Sequence, residues 1–124
     1  MATRIAINGF GRIGRLVLRA AIESGRRDLD FVAVNDFGSP DMNAHLLLHD
    51  TVHGRLTCEI SADKDRIRAN GFDMKVFAEA LPHRLPWQQL GVDIVLECTG
   101  RFSDRPEAAK HLEAGARRVL VSAP

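Results

Sequence analysis

The sequence is short of cysteine, of long apolar runs and of net charge, and each shortage excludes a class of protein. Cys58 and Cys98 are the only 2 cysteines in 124 residues, too few and too far apart for a disulfide framework or a zinc site. No apolar run is long enough to span a membrane, and the N-terminus lacks a signal-peptide stretch, so a cytoplasmic location is the default expectation. The net charge of +1 gives no electrostatic reason to expect nucleic acid or an anionic membrane as a partner.

What remains is the composition of an ordinary soluble globular domain, with 45% hydrophobic and 27% charged residues. A chain of this length suits one domain that buries about two-thirds of the surface exposed by its unfolded form. We find no internal repeat, low-complexity tract or linker. Residues 1–124 are therefore predicted to form a single domain.

The most informative segment is a glycine-rich turn between a short apolar strand and an amphipathic helix. Residues 5–7 predict a parallel strand buried on both faces. Gly9, Gly11 and Gly14 then follow at the spacing of a dinucleotide-binding turn. We expect Gly9 to permit the tight turn, Gly11 to make room for a pyrophosphate and Gly14 to let helix and strand approach closely. The amides at the start of the helix would face the phosphates.

The helix after this turn is predicted to end at Gly25, a good left-handed C-cap. Two sets of its side chains recur at helical spacing. The set predicted to face the sheet is Ile13, Leu16, Val17, Ala20 and Ala21. The set predicted to lie on the opposite side is Arg12, Arg15, Arg19 and Glu23.

A second apolar strand over residues 31–34 ends in Asn35-Asp36. Asp36 lies 22 residues after Gly14, close to the spacing that places a carboxylate on the adenosine ribose of a dinucleotide. Because such a carboxylate would repel a 2′-phosphate, the predicted cofactor is NAD rather than NADP. The alternative is a strand-helix-strand unit that binds nothing, in which Asp36 merely ends a strand.

The rest of the sequence predicts further strands and helices. In order they are a helix from Ser39-Pro40 to about residue 49, a turn at 50–54, short strands at 56–60, 66–69 and 74–78 with an Asn70-Gly71 hairpin, a buried strand at 92–96, a helix from about 104 to 115, and a strand at 118–121. Thr99 and Gly100 follow the buried strand and are candidates for the cofactor crevice.

These elements predict an α/β fold of the Rossmann type, a doubly wound and mainly parallel sheet with a small antiparallel insert. A complete fold of this type has about six main strands. The sheet is therefore expected to be incomplete at the C-terminus of the sequence.

Two groups of residues invite other interpretations. His45 and His49 have a helical i, i+4 spacing and His53 follows, but without an intervening glutamate or nearby cysteines we predict no metal site. Cys98 ends a predicted strand with no histidine beside it in sequence, and a free cysteine of this kind is commonly a small buried apolar residue. We predict no catalytic residue in this chain.

Five motifs occur in one order along the chain, at residues 5–15, 34–36, 50–54, 90–100 and 122–124. Together they closely resemble phosphorylating glyceraldehyde-3-phosphate dehydrogenase. The resemblance implies that Arg12 and Ile13 hold the pyrophosphate of NAD and that Asp36 binds the ribose. It also implies that Ser122 lies near the nicotinamide end. The contacts predicted from the motifs and the resemblance together are Asn8, Gly9, Phe10, Gly11, Arg12, Ile13, Gly14, Asn35, Asp36, Ala80, Thr99, Gly100, Phe102 and Ser122.

The chain departs from the family pattern at two positions near the adenine. Ala80-Leu81-Pro82 stands where the family often has Arg-Asp-Pro, so only the main chain of Ala80 is left to take part. Phe37 follows Asp36 where an aliphatic residue is usual.

The resemblance also sets a limit, because the family's nucleophilic cysteine motif and histidine base have no counterpart in residues 1–124. We therefore expect a truncated NAD-binding domain that binds NAD without catalysing, and whose uncovered apolar surface favours self-association. The family is tetrameric, and the oligomeric state of this chain stays open. Two alternatives remain: a fragment of erythrose-4-phosphate dehydrogenase, against which Asn35-Asp36 speaks, and a stand-alone NAD-binding module without chemistry.

Overall fold

The computed structural model describes residues 2–25, 28–36, 44–45, 47, 49–50, 54–55, 60–63, 65–99 and 105–122. Its strands are β1 (Thr3–Asn8), β2 (Leu29–Asn35), β3 (His49–Asp50), β4 (Gly54–Arg55), β5 (Ile60–Ala62), β6 (Arg66–Ala69), β7 (Phe72–Phe77), β8 (Ile94–Glu97) and β9 (Arg118–Val121). Its helices are α1 (Arg12–Ser24), α2 (Arg105–Ala108) and α3 (Lys110–Glu113), with a 3-10 turn at Pro82–Arg84. Among the described residues, no helix has the length and apolar character needed to cross a membrane.

Seven strands form one sheet in the order β5-β6-β7-β2-β1-β8-β9. The neighbouring strands β7, β2, β1, β8 and β9 pair in parallel. The pairs β5-β6 and β6-β7 are antiparallel. After β1 and β2 the chain forms the edge strand β5, comes back inward through β6 and β7, and then crosses to the other side of β1 to form β8 and β9. The strand order therefore reverses between β1 and β8. This arrangement confirms the predicted Rossmann-type sheet with its antiparallel insert.

The sheet buries side chains on both faces. On one face, Ile5 and Ile7 of β1 pack with Leu18 of α1 and with Phe31 of β2. On the other face, Ala6 shares a second core with Trp87 and with residues of β8 and of the segment after α3. Alternate residues of one strand thus enter two cores, as expected when helices cover both sides of a parallel sheet.

Local turn chemistry was predicted well. Asn70 and Gly71 have φ values of 51° and 87°, the left-handed pair of a two-residue hairpin, and they join β6 to β7. Gly25 ends α1 with a φ of 68°. The bounds predicted for β6 and β9 agree with the structure at both ends.

The predicted burial of α1 was partly wrong. Arg19, expected in solvent, is only 3% exposed and donates from Nη1 to the main-chain oxygen of Leu47 at 3.0 Å. Ile13, Val17 and Ala20, expected to face the sheet, are exposed. The buried residues are Gly14, Leu18, Arg19, Ala21 and Ile22. Gly14 decides this orientation, because it rests against the main chain of the glycine turn and turns its own side of the helix inward.

Several predicted bounds also need correction. The strand β5 covers residues 60–62, whereas residues 56–59 of the strand predicted at 56–60 lie outside the described part of the chain. The strand β7 begins at Phe72 because the hairpin is tight. The strand β8 begins at Ile94, since Val92 closes a turn by donating to the oxygen of Trp87. The helix predicted from 104 to 115 is divided at Ala109 into α2 and α3.

The predicted segments near residue 50 are only partly described. The helix expected from Ser39-Pro40 lies outside the described residues except for Ala44, His45 and Leu47, which are helical. His49 belongs to β3 rather than to that helix. The turn at 50–54 joins β3 to β4, and its three middle residues are not described.

Candidate functional site

Main-chain hydrogen bonds join the carboxyl ends of five neighbouring strands into one row. The donor and acceptor pairs are Asp36 N to Phe77 O (2.9 Å), Gly9 N to Asn35 O (2.8 Å), Cys98 N to Asn8 O (2.8 Å) and Ser122 N to Glu97 O (2.9 Å). The row lies along the carboxyl edge of the parallel sheet, where doubly wound folds bind their ligands. The structure therefore brings Asn8, Gly9, Asn35, Asp36 and Ser122 to one edge, although they are far apart in sequence.

The three glycines of the turn meet different surroundings. Gly9 has a φ of 91°, and a Cβ there would lie 2.7 Å from the main-chain nitrogen of Thr99. Gly14 rests against the carbonyl of Gly9. A Cβ at Gly11, in contrast, would meet no atom of the described chain within 4 Å. Gly11 is thus not required by packing, which fits a position left clear for a ligand that approaches the main chain.

The N-terminus of α1 is open to an anion. Gly11 is its N-cap and contributes no capping side chain, and no acidic residue lies in the first turn. The first amides of a helix lack intrahelical acceptors and carry the positive end of the dipole. Arg12 and Ile13 are exposed there, and the apolar side chain of Ile13 is 50% exposed. Among the described residues, the buried Nε of Arg15 also has no acceptor.

A chain of side-chain amides links β2, β1 and β8 below this edge. Asn35 accepts at Oδ1 from the main-chain N–H of Glu79 and donates from Nδ2 to Oδ1 of Asn8, at 2.8 and 2.7 Å. Asn8 in turn donates from Nδ2 to Oε1 of Glu97 at 2.6 Å. Both asparagines are buried. Their side chains are therefore committed to the protein, so their part in ligand binding is to orient neighbouring groups.

Glu97 is a buried carboxylate that accepts hydrogen bonds at both oxygens, although it is only 1% exposed. Its Oε1 accepts from Asn8 and from Nε2 of His111 at 2.8 Å, and its Oε2 accepts from the N–H and the hydroxyl of Thr99 at 3.0 and 2.5 Å. Burial alone would raise the pKa of Glu97, but the hydrogen bonds from His111, Thr99 and Asn8 outweigh it and lower the pKa. The side chain is therefore held as an anion.

The tautomer of His111 follows from its two neighbours. The indole N–H of Trp87 donates to Nδ1 of His111 at 2.9 Å. Because an indole can only donate, Nδ1 must accept, and the ring proton lies on Nε2, which donates to Glu97. The 3.3 Å contact between Nε2 of His111 and Nδ2 of Asn8 is then an approach of two donors that share one carboxylate oxygen.

For the remaining predicted contact residues, the structure gives only burial or no description. Phe10 is fully buried in the core, so only its main chain is available to a ligand. Ala80 is exposed beside Glu79, and Thr99 is half-buried at the end of β8. Gly100, Phe102 and Phe37 lie outside the described residues.

Glu97, His111 and Trp87 were not predicted as site residues. A clue was present, because Glu97 is a charged residue that directly continues the most apolar predicted strand. Such a residue needs partners when the strand is central in a sheet. The sequence does not say which partners these are, since His111 and Trp87 come from separate segments.

Cys98 is unsuited to act as a nucleophile in this structure. Burial, followed by the negative charge of Glu97, raises the pKa of its thiol to about 11. The thiolate is the reactive form of cysteine, and it is scarce at neutral pH when the pKa is raised.

Three features together define a dinucleotide-binding α/β domain. They are a glycine turn that leads into a helix N-terminus, a carboxylate after the neighbouring strand, and a reversal of strand order between β1 and β8. The residues present fit such a ligand, since the space at Gly11 is clear and the helix end carries no internal counter-charge.

Comparison with known proteins makes the assignment specific. Residues 3–105 match the family described as glyceraldehyde 3-phosphate dehydrogenase, NAD binding domain, and the chain belongs to this family. The prediction of NAD as cofactor is thereby confirmed.

Individual relatives agree with the family match. The chain is 56% identical over 124 residues to glyceraldehyde-3-phosphate dehydrogenase of Xanthobacter flavus and 52% identical over 124 residues to that of Geobacillus stearothermophilus. It is 53% identical over 125 residues to the plasmid-encoded enzyme of Cupriavidus necator. Each alignment covers 100% of this chain but only 36–37% of the relative. The chain thus spans little more than a third of the length of these relatives.

Proposed function

We propose that residues 1–124 form the cofactor domain of a glyceraldehyde-3-phosphate dehydrogenase and hold NAD at the carboxyl edge of the sheet. The observation that carries this proposal is the row of main-chain hydrogen bonds that sets the glycine turn, Asp36 and Ser122 along that edge. The clear space at Gly11 supports it, because no packing requirement of the described chain accounts for a glycine there. The names of the relatives favour this enzyme over erythrose-4-phosphate dehydrogenase.

In this proposal the residues divide the cofactor among them. The amides of Gly11, Arg12 and Ile13 receive the pyrophosphate at the N-terminus of α1. Asp36 accepts hydrogen bonds from the adenosine ribose, and its N–H is fixed by the oxygen of Phe77. Ser122 lies on the far side of β8 from the adenosine groups and faces the nicotinamide part.

The adenosine side is completed by residues after β7 and β8. We assign this role to Ala80 through its main chain, and to Thr99, Gly100 and Phe102. Gly9, Gly14, Phe10, Asn8 and Asn35 shape the turn and the strand ends rather than contact NAD through their side chains.

Bound NAD supplies a hydride acceptor, and the chain's own residues place it. Residues 1–124 contribute no activated nucleophile in this proposal, since the one described cysteine, Cys98, has a raised pKa. We expect residues 1–124 by themselves to bind NAD without oxidising an aldehyde. In the whole protein we expect cytoplasmic action as a homotetramer.

Calorimetric titration with NAD and NADP tests the proposal. We expect NAD to bind more tightly than NADP. We expect Asp36→Ala to weaken NAD binding at least 10-fold, the size of one charge-assisted contact, and to reduce the preference for NAD over NADP. Asp30→Ala is the matched control, because Asp36 directly follows β2 whereas Asp30 lies near the opposite end of that strand, where it pairs with Arg4 at 3.5 Å. Tighter binding of NADP by the unaltered chain, or equal losses in both variants, would contradict the proposal.

A further inference from the structure

Glu97 is a charged residue in the protein interior, where a charge is normally unfavourable. It is buried at the end of β8, between β1 and β9 in the sheet. A buried ion seldom makes a protein more stable than a well-packed apolar side chain of the same volume would. Stability alone therefore does not account for the carboxylate. What a carboxylate adds is direction, because each of its hydrogen bonds fixes the position of a named partner.

The partners of Glu97 belong to the two turns on either side of the strand-order reversal. Its Oε1 holds the amide of Asn8, the residue before Gly9, and its Oε2 holds the main-chain N–H of Thr99. These turns touch each other, since a Cβ on Gly9 would lie 2.7 Å from that same nitrogen of Thr99. One carboxylate thus sets how the turn after β1 meets the turn after β8.

The same carboxylate reaches the third side of the crevice through the asparagine chain. Asn8 receives a hydrogen bond from Asn35, and Asn35 binds both the N–H and the oxygen of Glu79 at 2.8 Å. Glu79 precedes Ala80, which we place beside the adenine. Three segments that would surround the adenosine part are therefore tied to Glu97.

His111 fixes Glu97 from the helical side. The ring lies in α3, is 0% exposed, and donates from Nε2 to the carboxylate while Trp87 holds Nδ1. The carboxylate therefore has a donor that belongs to neither turn. This contact sets the position of Glu97 independently of the residues that Glu97 itself orients.

We propose that Glu97 is a positioning residue for NAD, and that His111 holds it in place, so that the turns after β1, β7 and β8 are already arranged to receive the adenosine part. This inference rests on the proposed function. It assigns to both residues an effect on cofactor affinity although both side chains are buried.

Glu97→Gln provides the first test. Glutamine keeps the volume but replaces one accepting oxygen by an amide donor, so either the Thr99 N–H or the donors Asn8 and His111 lose their acceptor. We expect the Kd for NAD to rise at least 10-fold, measured by calorimetry on the whole chain at a temperature where circular dichroism shows it folded. We also expect the ¹⁵N–¹H resonance of Thr99 to shift without NAD present, since that amide no longer donates to a carboxylate.

Phe72→Leu is the control for a general loss of stability. Phe72 is buried at the opposite edge of the sheet, where its ring contacts that of Phe31 at 5.3 Å between centroids. Its replacement removes core packing without touching the strand ends. We expect it to lower the midpoint of unfolding and to leave the Kd for NAD within 2-fold of the original value.

A pair of His111 variants keeps the test decisive even where Glu97→Gln fails to fold. His111→Gln retains one acceptor for Trp87 and one donor for Glu97, so we expect near-original NAD affinity. His111→Leu removes both, and we expect a Kd raised several-fold. Equal affinities of these two variants, or an unchanged Kd in folded Glu97→Gln, would overturn the positioning role. Failure of the unaltered chain to bind NAD would instead overturn the proposed function.

Discussion

The carbonyl oxygen of Gly9 lies 2.6 Å from the place that a Cβ on Gly14 would occupy. Helix α1 therefore meets the turn before it through main-chain atoms. This contact orients the whole helix, because the residues that follow Gly14 on the same side, Leu18 and Ala21, are the ones that enter the core. The glycine turn and the sheet packing of α1 are thus one structural feature.

Gly14→Ala should destabilise the fold. The added methyl would overlap the Gly9 oxygen and crowd Ile7, whose Cγ2 lies 2.9 Å from the same point. We expect a net loss of about 1–3 kcal/mol in the free energy of unfolding, the usual cost of overpacking. Urea denaturation followed by circular dichroism measures it. An unchanged or higher stability would show that the helix can shift away without loss.

Gly11→Ala should affect binding and spare stability. Its Cβ meets nothing within 4 Å in the described chain, and its φ of −79° is available to alanine. We expect the unfolding free energy to change by less than about 1 kcal/mol, the scale of an N-cap replacement. The Kd for NAD should rise at least 10-fold, because the methyl would occupy space that the pyrophosphate needs. Calorimetry with NAD decides, and an unchanged Kd would contradict this placement of the pyrophosphate.

Trp87→Phe should expose the role of the indole N–H. The variant leaves Nδ1 of the buried His111 without its donor, and we expect a loss of about 1–3 kcal/mol from the unpaired group. Circular dichroism must follow the unfolding, because Trp87 is the only tryptophan in the chain. In the original protein, ¹⁵N chemical shifts should show His111 protonated at Nε2. A proton on Nδ1 would refute the assigned tautomer.

Acid should remove the contribution of Glu97 to stability. Because its pKa in the folded chain lies below the ordinary value of 4.5, its stabilising effect is present above about pH 4.5 and is lost as the pH falls through the folded value. We therefore expect the difference in unfolding free energy between the original chain and Glu97→Gln to be largest near pH 7 and to shrink towards pH 3. Urea titrations across this range measure it. A difference that stays constant with pH would rule out an ionised Glu97.

Cys98 should react slowly with iodoacetamide in the folded state. With a pKa of about 11, only about one thiol in a thousand is ionised at pH 8. A Cys58→Ser background leaves Cys98 as the single thiol, and urea should then accelerate its modification strongly. Glu97→Gln in that background should react faster when folded, because the neighbouring negative charge is gone. Equal rates in folded and unfolded chains would contradict the raised pKa.

Those features of the fold that depend on local chemistry could be predicted from the sequence. The Asn70-Gly71 hairpin and the Gly25 cap require positive φ values that few residues adopt, so the residue types identify them. Bounds were less accurate where long-range pairing decides them. For example, β8 starts at Ile94 rather than Val92, because Val92 donates to the oxygen of Trp87 and closes a turn instead of joining the sheet.

The candidate site divides in the same way. The glycine turn and the aspartate after β2 could be located from the sequence, since both follow from residue types at short spacing. The buried part could not. Arg19 was expected in solvent but lies in the interior beside Leu47, and Glu97 was not singled out, because their environment is set by segments that pack on them from elsewhere in the chain.

By itself, the sequence determined the Rossmann-type fold class, the glycine turn between β1 and α1 and the Asn70-Gly71 hairpin, because each rests on residue types at short spacing. Only the tertiary structure decided that Asn35, Asn8, Glu97, His111 and Trp87 form one hydrogen-bonded network. The physical reason is that a buried polar group must find a partner, while the identity of that partner depends on which strands lie side by side.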